Sequence, residues 1–434
     1  MTTTLVDVLP SIGYAAPPRF DPAIWPVTAH ADEEGRLCIG DVPLTDIADE
    51  FRTPAYVIDE ADFRYRARHY RQALRGTEVV YAGKSLLSIA VARWVREEGL
   101  SLDVCSAGEL TTAIAGGVDR ARIVMHGNAK SIEELRAAVR VGVGRIVVDS
   151  CMEITYLAGL ASRRQRVLIR VTPDFSANGD VLGGGQAAEA VARVLAHPNL
   201  DLIGLHCHLG SQVTDPASYG EAIRRMVAAT ADIRAKHGVI LTELNIGGGH
   251  GIPYLPGDPE LDVDELAGVI DEALDAACAV ERFPRPVVVV EPGRGISGRA
   301  GVTLYRVCAV KTQPDGRTFV VVDGGMSDNP RVALYGAKHT VALANRHPLG
   351  RRQRVTVAGR HCEAGDEIAR DIELPADLHP GDLLAVACTG AYNHSMASNY
   401  NMVGRPPLVA VKDGRTRELV RRETTADLLA RDRG

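Results

Sequence analysis

The chain of 434 residues lacks any pair of cysteines at CxxC spacing; its eight cysteines stand singly. That excludes a disulfide framework and suits reduced thiols in a cytoplasmic setting. No apolar run approaches the length that spans a bilayer. The opening "MTTTLVDVLPSIGYAAPPRF" has no basic n-region and no long apolar core, so no signal peptide is expected. Charge of one sign is not in excess either. A net charge of −6 gives no footprint for nucleic acid and no signal for a membrane surface. Low-complexity tracts and close sequence repeats are missing as well. What remains is an ordinary globular balance, 46% hydrophobic and 24% charged, on a chain long enough for two domains, one of them a large barrel.

What the chain does contain is a repeat of pattern. Short β-rich runs alternate with segments rich in Ala, Glu and Arg that read as helices. The runs are "EVVYA" (78–82), "SLDV" (101–104), "RIVMH" (122–126), "RIVVD" (from 145), "RVLIRV" (166–171), "LIGLHCH" (202–208), "ELNIGGG" (243–249) and "PVVVVEP" (286–292). Eight strands separated by helices predict a closed (β/α)8 barrel of parallel strands over residues 51–296. After residue 296 strands such as "GVTLYRVCAVK", "TFVVVDGG", "RRQRVTVAG" and "LLAVACTGAY" follow one another without long helices. Residues 297–434 therefore read as a second, mostly antiparallel β domain. Residues 1–50 carry a strand signal at "LCIGDVPL", lie outside the barrel count and are expected to join that second domain.

In such a barrel the chemistry sits at the C-terminal ends of the strands. Each run ends in a polar or glycine-rich signature. Lys84 follows strand one; Asp103, Cys105, Ser106 and Glu109 follow strand two; His126-Gly127-Asn128 close strand three and Asp149 strand four. Strand five holds Arg170, strand six His206, His208, Gly210 and Ser211, strand seven Gly247-Gly248-Gly249, and strand eight Glu291 and Arg294. A single lysine on a loop is usually solvated surface, but eight polar strand ends on one rim make a site. "IGGGHG" lets backbone N–H groups close on an anion, although a tight turn alone also explains it; its spacing is not the dinucleotide GxGxxG. Ser211 and Arg294 add a hydroxyl and a cation. "HCH" puts His206 and His208 on one strand face, as a metal pair or as core and stacking histidines. No further ligand set follows them, so no metal is expected. A lysine amine that can condense with an aldehyde, a phosphate cradle, and a carboxylate that can keep a pyridine nitrogen protonated together suggest pyridoxal 5′-phosphate as cofactor. His208 suits stacking on its ring.

At these residues the chain resembles the fold-type III pyridoxal phosphate decarboxylases, and within them the actinobacterial branch that acts on diaminopimelate. The likeness runs from about Pro43 to Leu428 through "YAGKS", "LDVCSAGEL", "HGNAKS", "HCHLGSQ", "GGGHGIPY", "EPGRGI", "DGGMSDNPRVALYGA", "HCEAGDEI" and "GAYNHSMASNYN". The resemblance implies that Lys84 holds the cofactor covalently, with Asp103 and Glu109 tuning its protons and His208 stacked on the ring. It implies that Ser211, Gly247, Gly248, Gly249, Arg294 and Tyr392 hold the phosphate and that Glu291 pairs with the pyridinium. Cys362 and Glu363 would reach into the partner subunit's barrel in a homodimer with shared sites, the cysteine returning a proton. As a bare residue, Cys362 could equally be a small buried hydrophobe. Arg294, Arg331 and Tyr335 would face the distal carboxylate of the substrate. The implied reaction is decarboxylation of meso-diaminopimelate to L-lysine and CO2. The runner-up is a sister decarboxylase for another amino acid with a distal polar group. Glu291 weakens a racemase reading, and retention of both Lys84 and Cys362 speaks against a catalytically dead regulator. Three departures from the family pattern bear on the substrate: a short segment at 172–186 without a Lys-Phe-Gly signature, Ala364 where Ser is usual, and Lys338 where an aromatic is frequent.

Overall fold

A computed structural model describes residues 20–172 and 186–434, so nearly all of the short segment 172–186 lies outside the described residues. The chain forms two compact units. One comprises Arg64–Gly251 with Pro259–Ile296; the other comprises the chain up to Phe63, Ile252–Asp258 and Ser297–Gly434.

The first unit is a closed barrel of eight parallel strands in sequence order. They are Glu78–Ala82, Ser101–Val104, Ile123–Met125, Arg145–Val148, Gln165–Arg170, Leu200–His206, Glu243–Asn245 and Val287–Val290. Strand eight closes on strand one through Val289 opposite Glu78 and Val290 opposite Val79. Strands buried on both faces by sheet and helices read as continuous apolar runs, as "IVM" and "VVVV" do here. The helices after strands one to four start alike: Ser88, Ser106, Ser131 and Ser150 each accept a hydrogen bond from the backbone N–H three residues on. Each such cap is worth about 1 kcal/mol.

The barrel interior is layered. Val80, Val124, Val147, Leu168 and Val289, from five strands, form one buried cluster with Ile203 packed against it. Below them lies a charged floor. Arg145 on strand four donates to Glu78 of strand one at 2.6 and 2.8 Å and to Glu243 of strand seven at 2.9 Å. Contacts between strands this far apart must cross the interior. Because strand side chains alternate, the residue two beyond each inward valine or leucine also faces inward, one layer higher. That rule lifts His126, Asp149, Arg170 and Glu291 to the C-terminal rim.

The second unit is built on a nine-stranded sheet whose axis is the twelve-residue strand Gly301–Thr312. It pairs antiparallel with Ala55–Asp59, Thr318–Val322 and Leu383–Val386. Two parallel pairings, Thr318–Val322 with Arg352–Ala358 and Leu408–Lys412 with Ala55–Asp59, interrupt an otherwise antiparallel arrangement. The expected early strand is a tight hairpin, Leu37–Ile39 with Val42–Pro43, turning through Gly40 and Asp41 at φ 58° and 63°. Positive φ at both central residues matches the twist of a two-residue hairpin.

The boundary drawn at residue 51 is displaced. "AYVID" (Ala55–Asp59), buried at all five positions, is a strand of the large sheet and not of the barrel. Ile252 and Tyr254 leave the barrel too and pack with Val57, Val302, Leu304 and Cys388. A fully buried run has no periodicity that tells one sheet from another, so the sequence pattern could not assign Ala55–Asp59. Among the described residues no helix is long and apolar enough to cross a membrane.

Candidate active site

Lys84 sits in the single 3-10 turn Gly83–Ser85, immediately after strand one. The residue is exposed. Next to it, Asp103 at the end of strand two is buried. Burial raises its carboxyl to about 6, against the opposing pull of His126 and Lys84. Glu109 accepts the N–H of Cys105 at 2.5 Å and receives its own N–H cap from Ser106, so it pins the start of the following helix within the electrostatic reach of Lys84.

Glu291 is the centre of the rim. Its Oε1 accepts from Asn245 Nδ2 at 2.7 Å and lies 2.7 Å from His126 Nε2; its Oε2 lies 3.3 Å from His206 Nε2. Burial alone would raise this carboxyl, yet the two imidazoles hold it well below the usual carboxylate range. Burial would lower His126, but Asp103 and Glu291 outweigh it and raise the imidazole. His206 is pushed down to about 4 by burial, and its buried Nδ1 has no hydrogen-bond partner, which fits a neutral ring donating through Nε2. The ligand-type atoms of His126, His206 and Glu291 lie within 4.8 Å of one another, the spacing of a carboxylate bonded between two imidazoles. The pair His206 and His208 does not share a strand face: the strand ends at His206. His208 lies beyond it, half-buried, with its pKa lowered by burial and then by Lys84 and Arg170.

The three glycines form a turn into which no side chain fits. Gly247 and Gly249 take φ of 70° and 91°. A Cβ on Gly248 would stand 2.0 Å from the Glu291 carbonyl oxygen, and one on Gly249 would stand 2.1 Å from that of Gly210. Glycine there brings main chain to a ligand and permits the left-handed conformation. Arg294 Nη2 donates to Ser211 Oγ at 3.0 Å beside this turn's own strand-end neighbours. Asn245 ties turn and carboxylate together, because its Oδ1 accepts the Gly247 N–H at 2.9 Å while its Nδ2 serves Glu291. Tyr219 secures the turn from behind by donating to the Gly248 carbonyl at 3.1 Å.

Barrel geometry thus brings together Lys84, Asp103, Glu109, His208, Ser211, Gly247–Gly249, Glu291 and Arg294. The remaining expected site residues lie in the strand-rich unit. Arg331, 8% exposed, opens the short helix Arg331–Tyr335, with its guanidinium 5.5 Å from the ring centres of both Tyr335 and Tyr392. Tyr392 is held at φ 63°. Cys362 and Glu363 are exposed, so the alternative of a buried hydrophobe fails for Cys362. Glu363, Ala364 and Lys338 line one hollow of about 790 Å³. His126, Asn245 and Tyr219 carried no assigned role in the sequence reading. Asn245 could have been found, since it sits two residues after the inward Glu243 and two before Gly247.

An aldehyde needs an amine, a phosphate needs converging main-chain N–H groups and a cation, and a pyridinium needs an anion that stays ionised when buried. The barrel rim offers all three together, and a Cβ would fill the glycine cradle, so these residues fit pyridoxal 5′-phosphate. The fold and rim define a pyridoxal phosphate-dependent carboxy-lyase. The family "Pyridoxal-dependent decarboxylase, pyridoxal binding domain" matches residues 60–298. A diaminopimelate decarboxylase of Actinosynnema pretiosum subsp. auranticum is 51% identical across 99% of this chain and 100% of its own length. One from Mycobacterium bovis is 44% identical over 94% and 97%. The crystal structure of diaminopimelate decarboxylase from M. jannaschii in complex with L-lysine superposes with a TM-score of 0.87 at 30% identity, covering 94% of this chain and 98% of the other. The chain belongs to the diaminopimelate decarboxylase family.

Proposed function

We propose that the protein removes the carboxylate from one end of meso-diaminopimelate, giving L-lysine and CO2. The observation that carries this reading is Glu291, buried yet held ionised by His126, His206 and Asn245. When bound, the cofactor supplies an electron sink for the pair left at the reacting carbon, and an ionised carboxylate at the ring nitrogen makes that sink deep. Lys84 holds the cofactor, with Asp103 and Glu109 setting the charge around its amine. His208 covers the ring. Ser211, Gly247–Gly249 and Arg294 hold the phosphate.

The Cα–carboxylate bond breaks, CO2 leaves, and a proton returns to Cα from Cys362. Arg331, braced between Tyr335 and Tyr392, grips the distal carboxylate. A charge-assisted bond of this kind is worth about 1.5–3 kcal/mol. Glu363 takes the distal ammonium. Lysine and ornithine end in an amine alone and present no anion to this guanidinium. The working form is a homodimer in which Cys362 and Glu363 complete the neighbour's site. The free cysteines suit a reducing cytoplasm.

CO2 release from a panel of meso-, LL- and DD-diaminopimelate, lysine, ornithine and arginine tests the substrate. Turnover of meso-diaminopimelate is expected, with Arg331→Ala lowering it at least tenfold, the equivalent of about 1.4 kcal/mol. Turnover of lysine or ornithine with none of diaminopimelate overturns the reading in favour of the sister decarboxylase.

A further inference from the structure

The segment 361–366 is held at both ends and exposed in the middle. His361 and Asp366 are buried, at 8% and 5% exposure, while Cys362, Glu363, Ala364 and Gly365 between them are exposed. Asp366 is one post. Its carboxylate accepts the N–H of His361 at 2.7 Å and of Met326 at 2.6 Å. The main chain at Gly325 and Gly359 comes so close that a Cβ would stand 2.5 and 2.2 Å from that carboxylate.

His361 is the other post. Its Nε2 lies 2.8 Å from Ser327 Oγ and its Nδ1 lies 2.9 Å from Asn401 Oδ1. A ring protonated at Nδ1 satisfies both, donating to Asn401 and accepting the Ser327 hydroxyl. Serine, histidine and asparagine in this order match the layout of a nucleophile triad. Ser327 is only 3% exposed, however, and its carbonyl is tied to the Ser398 N–H, so no substrate reaches its hydroxyl. The triad holds structure instead. Asn401 reaches the imidazole from a left-handed turn, with φ of 53° at Asn401 and 55° at Met402. Strain of this sort persists only where the surroundings impose it.

The turn also delivers Tyr400. Its ring lies 5.2 Å from that of His361 at 42°, and its hydroxyl donates to Glu363 Oε2 at 2.9 Å. The hydrogen-bonded carboxylate raises the phenol, so the proton stays on Tyr400. Glu363 is an exposed, flexible side chain on an exposed loop, and Tyr400 is the side chain that selects one of its rotamers.

We propose that Tyr400, braced by His361, is a specificity-determining positioning residue that fixes the carboxylate of Glu363 toward the distal ammonium of the substrate. This rests on the reading of Glu363 given above. Tyr400 is 38% exposed, so Tyr400→Phe removes one hydroxyl without disturbing a core. The test compares kcat and KM for meso-diaminopimelate in the holoenzyme, Tyr400→Phe, Glu363→Ala and the double variant. Tyr400→Phe is expected to raise KM about fivefold to tenfold, the effect of one ordinary hydrogen bond, with kcat changed less than about twofold. In the Glu363→Ala background the same change should add nothing. If Glu363→Ala raises KM but Tyr400→Phe does not, or if the two effects multiply, Tyr400 does not act through Glu363 and the proposal falls alone. If Glu363→Ala leaves KM unchanged, the ammonium role of Glu363 falls and the proposal falls with it.

Discussion

Replacing Arg145 by methionine should destabilise the barrel strongly while leaving the chemistry of the folded molecules intact. The side chain is 9% exposed and carries three hydrogen bonds to two carboxylates. Methionine fills similar volume but strands Glu78 and Glu243. Breaking a buried pair costs about 3–5 kcal/mol; Glu78 retains 26% side-chain exposure, which favours the lower half, about 3–4 kcal/mol. For a cooperative unit of this size that is a drop in Tm of roughly 6–16 °C. The pH dependence gives a second, independent reading. In the native network Arg145 lowers Glu78, whereas burial outweighs Arg145 and raises Glu243. Glu78 therefore contributes stability that is lost as pH falls through its depressed folded pKa. Glu243 does the reverse, weakening the fold as pH rises through its raised one. Without the guanidinium both carboxyls are raised, the folded state binds protons more tightly than the unfolded chain, and stability is lost as pH rises. Thermal melts of wild type and Arg145→Met at about pH 5 and about pH 8 should show the larger deficit at the higher pH. A deficit of under about 2 °C, or one that is larger at pH 5, refutes the argument. Replacing Glu78 and Glu243 by leucine in the same chain should recover most of the loss, since an apolar trio needs no partner.

Two further outcomes follow from the rim. Gly248→Ala forces a Cβ to within 2.0 Å of the Glu291 carbonyl oxygen, so the variant should lose bound cofactor on gel filtration, read as loss of absorbance in the visible, while its circular dichroism stays native; full retention of the cofactor contradicts the cradle assignment. Mixed Lys84→Ala and Cys362→Ala chains, each inactive alone, should regain part of the activity once heterodimers form, because one of the two composite sites is intact; no recovery after mass spectrometry has confirmed mixing argues against shared sites.

Most of the barrel was legible because parallel strands covered on both faces must be apolar throughout, and eight such runs alternated with helices. Strands one and two agree with the expected runs to the residue. The rim was legible for the residues that interrupt those runs, Lys84, Gly247–Gly249 and Glu291 above all. What could not be read is what closure creates. His126, His206 and Asn245 come from strands three, six and seven, and nothing along the chain says that the Glu291 carboxylate at the end of strand eight will receive all of them. Tyr400 meets Glu363 across a sequence separation of 37 through an irregular turn whose left-handed residues carry no glycine signal. The stretch 55–59 was misassigned for the opposite reason: its burial is complete, so every sheet fits it equally well.

The excursion of Ile252–Asp258 out of the barrel unit has a practical consequence for recombination between relatives. A cut-and-paste exchange of residues 64–296 as one block would set the donor's side chains at 252 and 254 against the recipient's Val57, Val302, Leu304 and Cys388, so that any difference in size or shape becomes a cavity or a clash in that core. A chimaera that respects the packing must transplant two barrel pieces, 64–251 and 259–296, and keep the seven residues between them from the parent that supplies the strand-rich unit.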